Sequence, residues 1–236
     1  MSKFAVYVCL LASVTLTACG GASSTPTTPT TSTTTTTATN RPPTIDSMNF
    51  APAFGVAQLS SFSFNASASD LDGDAVSYIW DVAGNPVAGA NGTMTFSNGG
   101  NATARVTVTD SKGATATDTR SFVVGSMTGS WAGVVDTTGC TGITKPMTAT
   151  LAQNLTAVTG TIGLPNGLCS FNGGTAVTDP AEPGRIDANA NVTIRIKVPP
   201  FTDVTFRGTM DSSGRKLSGG LFGSGHNGTP VVLNKQ

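Results

Sequence analysis

The sequence predicts an all-β protein with two folded units, a β-sandwich over 44–125 and a small antiparallel β-barrel over 127–236. Three observations carry this. Only 11 % of the 236 residues are charged and a single Glu, Glu182, occurs, so long amphipathic helices lack their usual formers, whereas 28 Gly and abundant Thr favour strands and turns. Apolar residues recur with period two in one short segment after another. Gly, Asn, Asp and Pro clusters separate those segments at the intervals expected of a sandwich or barrel. The thirteen basic residues balance the thirteen acidic ones and are scattered along the chain. No surplus of Lys and Arg is available to neutralise phosphates, which excludes a nucleic-acid partner and a basic membrane-surface helix.

The N-terminus reads as an export signal. Lys3 supplies the positive start, Phe4 to Val14 is an almost unbroken apolar run, and Leu16-Thr17-Ala18-Cys19 follows. The run is too short for a membrane-spanning helix. The tetrad resembles the lipobox of bacterial lipoproteins, which implies a signal peptide over 1–18 and a diacylglyceryl group on Cys19; the alternative is an ordinary secretory signal cut near Ala18. By the same resemblance Gly20, standing where Asp would retain the protein at the inner membrane, implies the outer membrane of a Gram-negative envelope. Membrane attachment would then be through two or three acyl chains, each buried methylene adding about 0.8 kcal/mol.

Residues 19–43 form a tether. From Ala22 to Thr44, twelve of twenty-three residues are Thr, four are Pro and none is large and apolar. Nothing there can build a core. Such a segment spans about 25 Å as a coil and about 70 Å as polyproline II. It also resembles O-glycosylated stalks.

In the first folded unit, Phe62, Phe64 and Ala66; Val76, Tyr78, Trp80 and Val82; Ala104, Val106 and Val108; and Phe122 and Val124 alternate as half-buried strands. Turns are expected at Asp70 to Asp74, Gly84-Asn85-Pro86, Asn98 to Asn101 and Asp110 to Gly113. Trp80 is the expected core centre. Three carboxylates, Asp70, Asp72 and Asp74, crowd into five residues and repel unless a hard cation or solvent screens them. An EF-hand is excluded, because Ala75 stands where its Gly belongs and a strand follows in place of a helix. The stretch from Ala66 through Asp81, with Val106-Thr-Val108-Thr-Asp110-Ser-Lys-Gly113, resembles the PKD domain, an immunoglobulin-like sandwich. One departure is Val82-Ala83-Gly84-Asn85, where the family carries Phe and a Gly-Asp-Gly turn; a neighbouring immunoglobulin-like or cadherin-like branch is the alternative. The resemblance implies a structural Ca²⁺ with Asn40, Asp70, Asp72 and Asp110 as ligands beside Asp74. The competing reading is a solvated turn in which Asp70 caps its own backbone.

In the second unit, strands are expected at Gly129 to Asp136, Met147 to Asn154, Ala157 to Gly163, Ser170 to Val177, Arg185 to Ala188, Val192 to Val198, Val204 to Asp211, Leu217 to Gly223 and Val231 to Lys235. Eight or nine strands suit a small closed barrel. Gly129-Ser130-Trp131 resembles the opening of lipocalin-like and avidin-like barrels, which implies that Trp131 plugs one end and that Lys235, in a slot usually held by Arg, covers it. Cys9 leaves with the signal, so Cys140 and Cys169 remain as an even pair in an oxidising compartment and are expected to be bonded. The disulfide would contribute about 3–4 kcal/mol on the entropic account.

No catalytic motif is present. His226 is the only histidine and lies in Gly223-Ser-Gly225-His226-Asn-Gly228, expected as an exposed hairpin tip, and Glu182 lies in a Pro-rich loop without a mate. The chain is therefore expected not to be an enzyme. It is expected to be a lipid-anchored envelope protein that binds, adheres or scaffolds through its β domains, with a glycan or protein as partner. The alternative is a carrier holding a small apolar ligand in the barrel. What separates the two is the lumen, since Trp131, Leu151, Ile162, Phe171, Ile194, Ile196, Phe201, Phe206, Leu221 and Phe222 are about enough to fill a small barrel.

Overall fold

The computed structural model describes residues 39–166, 168, 174–198 and 202–236. Cys19, Cys169, Phe171 and Phe201 lie outside these residues, and with them the lipidation site and the Cys140–Cys169 pair. The described chain is all-β. In order it runs β1 (Thr44–Ala51), β2 (Phe54–Val56), β3 (Phe62–Ser69), β4 (Val76–Val82), β5 (Asn85–Ala88), β6 (Asn91–Met94), β7 (Gly100–Asp110) and β8 (Thr115–Gly125). It continues with β9 (Gly129–Asp136), α1 (Thr138–Thr141), β10 (Thr144–Asn154), β11 (Ala157–Leu164), β12 (Gly174–Thr178), β13 (Gly184–Ile186), β14 (Asn191–Lys197), β15 (Val204–Met210), β16 (Lys216–Gly223) and β17 (His226–Lys235). The single helical turn α1 is the only departure from β structure among these elements. No helix among the described residues is long and apolar enough to cross a membrane.

The first eight strands form a sandwich of two sheets, β1-β3-β6 facing β2-β8-β7-β4-β5. Alternation builds its core, since Phe62, Phe64, Val82, Val106, Val108, Phe122 and Val124 all point inward. Trp80 is fully buried, its ring 4.8 Å from that of Phe64, and Phe50 stacks on Phe122 at 4.5 Å. The expected turn at Gly84-Asn85-Pro86 is shorter than the composition suggests. Ala83 and Gly84 turn with positive φ, and Asn85 already pairs with Val82.

The remaining strands close into an eight-stranded antiparallel barrel of order β10-β9-β17-β16-β15-β14-β12-β11, sealed by the β10–β11 pairing, with β13 bridging β11 and β14. Period-two faces fill it: Met147, Ala149 and Leu151 from β10, Ile194 and Ile196 from β14, Phe206 from β15, Leu217 from β16 and Leu233 from β17 converge on the axis. The void they leave is about 10 Å³. That is barely room for one water. Phe222, counted by its hydrophobicity among lining candidates, is instead on the outer face beneath the Arg207 guanidinium, beyond an irregularity in register between Leu221 and Phe222.

The two units share a packed junction. Val56 of β2 belongs to the barrel core, with Phe54 and Leu59 packed against it. Gly125 lets two side chains lie directly on the backbone at this point, since a Cβ there would be 2.6 Å from Met210 Sδ and 2.9 Å from the Phe54 ring. Gln153 spans the junction from inside. Its Nε2 donates to the Ala57 and Leu155 carbonyls at 2.9 and 3.1 Å, and its Oε1 accepts the Met127 N–H at 2.9 Å. The Leu155 N–H in turn donates to Gln58 Oε1 at 2.6 Å.

Candidate functional site

The acidic turn between β3 and β4 is built by its own backbone. Asp70 Oδ1 accepts the N–H groups of Asp72 at 2.8 Å and Asp74 at 3.3 Å, and Gly73 supplies the left-handed residue at φ +78°. This closure brings carboxylate oxygens of Asp70, Asp72 and Asp74 within 4.8 Å of one another. Two cations from neighbouring segments answer the crowding. Arg41 donates to Asp72 through Nε at 2.9 Å and its backbone N–H at 2.8 Å, and Lys112 Nζ lies 2.9 Å from Asp74 Oδ2. The hydrogen bonds from Arg41 hold the Asp72 carboxyl below the usual carboxylate range, and the bond to Asp74 raises Lys112.

Asp110 closes the far side. Its Oδ1 accepts the N–H groups of Lys112 and Ala114, both at 2.9 Å, and its Oδ2 accepts Asn40 Nδ2 at 2.8 Å. Burial pushes this carboxyl up, but the bonds from Asn40, Ala114 and Lys112 outweigh it and hold it down. Both Asp110 oxygens are thus engaged with protein donors. Through Oδ2, Asp110 also fixes the orientation of the Asn40 amide. With its Nδ2 so committed, Asn40 Oδ1 is left buried without a hydrogen-bond partner among the described residues, and so is Asp70 Oδ2. Buried oxygens without donors are rare and costly. A hard divalent cation takes oxygens of this kind, so Asn40 Oδ1, Asp70 Oδ2 and the Asp74 and Asp72 carboxylates fit such an ion, which would displace or share the Lys112 and Arg41 contacts.

At the barrel mouth Trp131 is 1 % exposed, and its Nε1 donates to the Met127 carbonyl at 2.9 Å. Lys235 Nζ lies 5.4 Å from the centre of the Trp131 ring and donates to the Ser126 carbonyl at 2.8 Å. Burial lowers the Lys235 pKa.

One sequence expectation is corrected here. His226 is 5 % exposed rather than at a tip: Ser224 and Gly225 alone make the turn, at φ +48° and +84°, and His226 opens β17 with Nδ1 2.8 Å from Thr229 Oγ1. Burial lowers its pKa. Glu182 pairs with the Arg195 guanidinium, which also binds Asp203 through Nε at 2.8 Å. These two groups border an open groove of about 940 Å³ on the outside of β13, β14 and β15. Sequence reasoning passed over this groove. Arg185, Arg195 and Arg207 are ten and twelve residues apart, and only strand register makes them neighbours.

The family model described as the PKD domain matches residues 40–124. No curated protein matches the chain. Among solved structures, the PKD1 domain of Vibrio anguillarum Epp is 31 % identical over 36 % of this chain and 96 % of its own, with a TM-score of 0.29. The PKD1 domain of the Vibrio cholerae metalloprotease PrtV is 24 % identical over 36 % of this chain and 98 % of its own, with a TM-score of 0.30. A structure of carbohydrate-binding modules from the β-sandwich superfamily is 20 % identical over 77 % of this chain and 61 % of its own, with a TM-score of 0.37. The match to the PKD family model spans the sandwich that carries the Asp70 to Asp74 turn.

Proposed function

We propose that this chain is a lipid-anchored protein of the bacterial outer membrane that binds a surface partner through the outside of its β domains, without catalysis. The observation that carries this reading is the barrel interior, where side chains leave a void of about 10 Å³. An apolar ligand needs a cavity of several hundred Å³, so recognition is left to the outer faces and loops. The groups closest to acid–base use are otherwise engaged, Glu182 with Arg195 and His226 within the start of β17. The order of charged start, apolar run and Leu16-Thr17-Ala18-Cys19 supports the anchor. A structural divalent cation in the PKD domain belongs to the same reading, supported by the orphaned oxygens of Asn40 and Asp70. The test is titration of a fluorescent apolar probe against the full chain. No saturable uptake is expected; stoichiometric uptake competed by a fatty acid would establish a lumen site and sink the external-binding reading in favour of the carrier.

A further inference from the structure

We propose that the groove outside β13, β14 and β15 is a binding site for a carboxylate-bearing glycan, an inference that rests on the external-binding reading and says where and what the protein binds. Three of the seven Arg of the chain line this one groove. Register explains their closeness. Arg185 is opposite Thr193, Thr193 is opposite Arg207, and Arg195 is opposite Thr205, so guanidinium and hydroxyl groups alternate across one sheet face. Arg185 and Arg207 are two strands apart, about 10 Å, and Arg195 sits diagonal to both.

Like charges so placed repel, and their exposed heads support no core. Only Arg195 is neutralised, by Glu182 and Asp203. No carboxylate among the described residues is within ion-pair distance of Arg185 or Arg207. Arg207 lies over the Phe222 ring at 5.4 Å, which orients it without cancelling its charge. Three guanidiniums against two carboxylates leave the groove with one net positive charge in a chain whose net charge is zero.

The chemistry selects the ligand. Arg195 shows how this face seats carboxylates, and the planar guanidinium forks of Arg185 and Arg207 offer the same geometry to an incoming pair. Thr193 and Thr205 carry hydroxyls that both donate and accept, matching sugar hydroxyls between the charged points. The groove is open along the outside of β13, β14 and β15, which suits an extended chain. One net positive charge is too little for a nucleic acid. A protein partner would need an aromatic or aliphatic anchor, and the Phe222 face is already covered by Arg207.

The experiment is affinity electrophoresis of the full chain through gels containing polygalacturonate, unsubstituted dextran or dextran sulfate. Saturable retardation by polygalacturonate and none by dextran is expected. The double variant Arg185→Gln/Arg207→Gln should bind at least tenfold more weakly with an unchanged melting temperature, and Glu182→Gln, which leaves Arg195 paired with Asp203 alone and raises the net charge of the groove by one, should bind severalfold more tightly. The assignment is overturned if polygalacturonate does not retard the wild type, if the double variant binds as the wild type does, or if dextran sulfate binds as tightly as polygalacturonate. Those failures leave the external-binding reading standing, which falls separately on probe uptake into the barrel.

Discussion

Replacing Gln153 by Ala tests whether the two domains are joined by chemistry or only by chain. Gln153 is 8 % exposed and gives or takes three hydrogen bonds, to Met127, Ala57 and Leu155. Truncation leaves the Met127 N–H and the Ala57 carbonyl without partners on residues at most 1 % exposed, whereas Leu155 is 58 % exposed and its carbonyl returns to water. Each buried group so orphaned costs about 1–3 kcal/mol, so the pair costs about 4 kcal/mol. At about 2–4 °C per kcal/mol for a chain of this size, melting should fall by about 8–16 °C. Gln153→Met keeps most of the volume and orphans the same groups, so it should stay destabilised by at least about 2 kcal/mol. Urea denaturation followed by circular dichroism gives the free energies. Calorimetry should in addition show the domain transitions separating, because Ala57 and Met127 belong to different domains. An Ala variant within about 1 kcal/mol of wild type would refute the reasoning, and a Met variant restored to wild type would move the cost from hydrogen bonding to packing.

Cys19→Ser should shift the protein from the detergent-soluble membrane fraction to the soluble fraction, and unchanged membrane retention would contradict lipid anchoring. Chelation should lower the melting temperature of the full chain, with the Asn40→Ala/Asp70→Asn double variant insensitive to it. Ligand at a hundredfold excess over its dissociation constant stabilises by about 2.7 kcal/mol, and identical melting with and without chelator would leave a plain turn. Trp131→Ala should cost about 3–5 kcal/mol by urea denaturation, since a fully buried ring and its bond to the Met127 carbonyl are both lost. Burial favours neutral His226, so the unfolded chain takes up a proton at about pH 6.5 that the folded chain refuses. Stability is then full above that pH and declines as pH falls toward the lower folded value, and His226→Gln should flatten this slope between about pH 7.5 and 5. An unchanged slope in the variant would assign it to other groups.

What the sequence disclosed, and what it hid, follows from how far each signal travels along the chain. Val76 to Val82 and Val192 to Val198 were legible because one buried face writes period two into apolar residues. The first sheet was not, apart from β3. β1 buries only Met48 fully, β6 is four residues with Gly92 inside, and the outer pairs of this sheet are Ser47 with Ser67 and Asn49 with Asn65, which read as loop composition. The acidic turn was visible because its three carboxylates are local, while the Asn40 and Asp110 pairing spans seventy residues and came only through the PKD resemblance. Gln153 carried a signal that hydrophobicity alone overlooks, its phase. It continues the inward series Met147, Ala149 and Leu151, so a polar residue there had to find buried partners. His226 was misplaced because its glycine neighbours suggest a wide loop, whereas positive φ at Ser224 and Gly225 completes the turn in two residues.

The junction changes what the PKD domain is for in this chain. A spacer on a flexible joint would leave the barrel core complete without it, yet Val56 is part of that core and Phe54 and Leu59 pack against it. The Ala57 N–H donates to the Gly125 carbonyl at 2.8 Å, and the next residues, Ser126 and Met127, are buried rather than exposed as a linker would be. Lys235, from the last strand, then reaches back to the Ser126 carbonyl beside Trp131. The connection between domains is therefore held by side chains from β2, β10 and β17 at once, and loosening it means uncovering apolar surface and orphaning buried polar groups together. The sandwich thus supplies part of the wall against which the barrel packs.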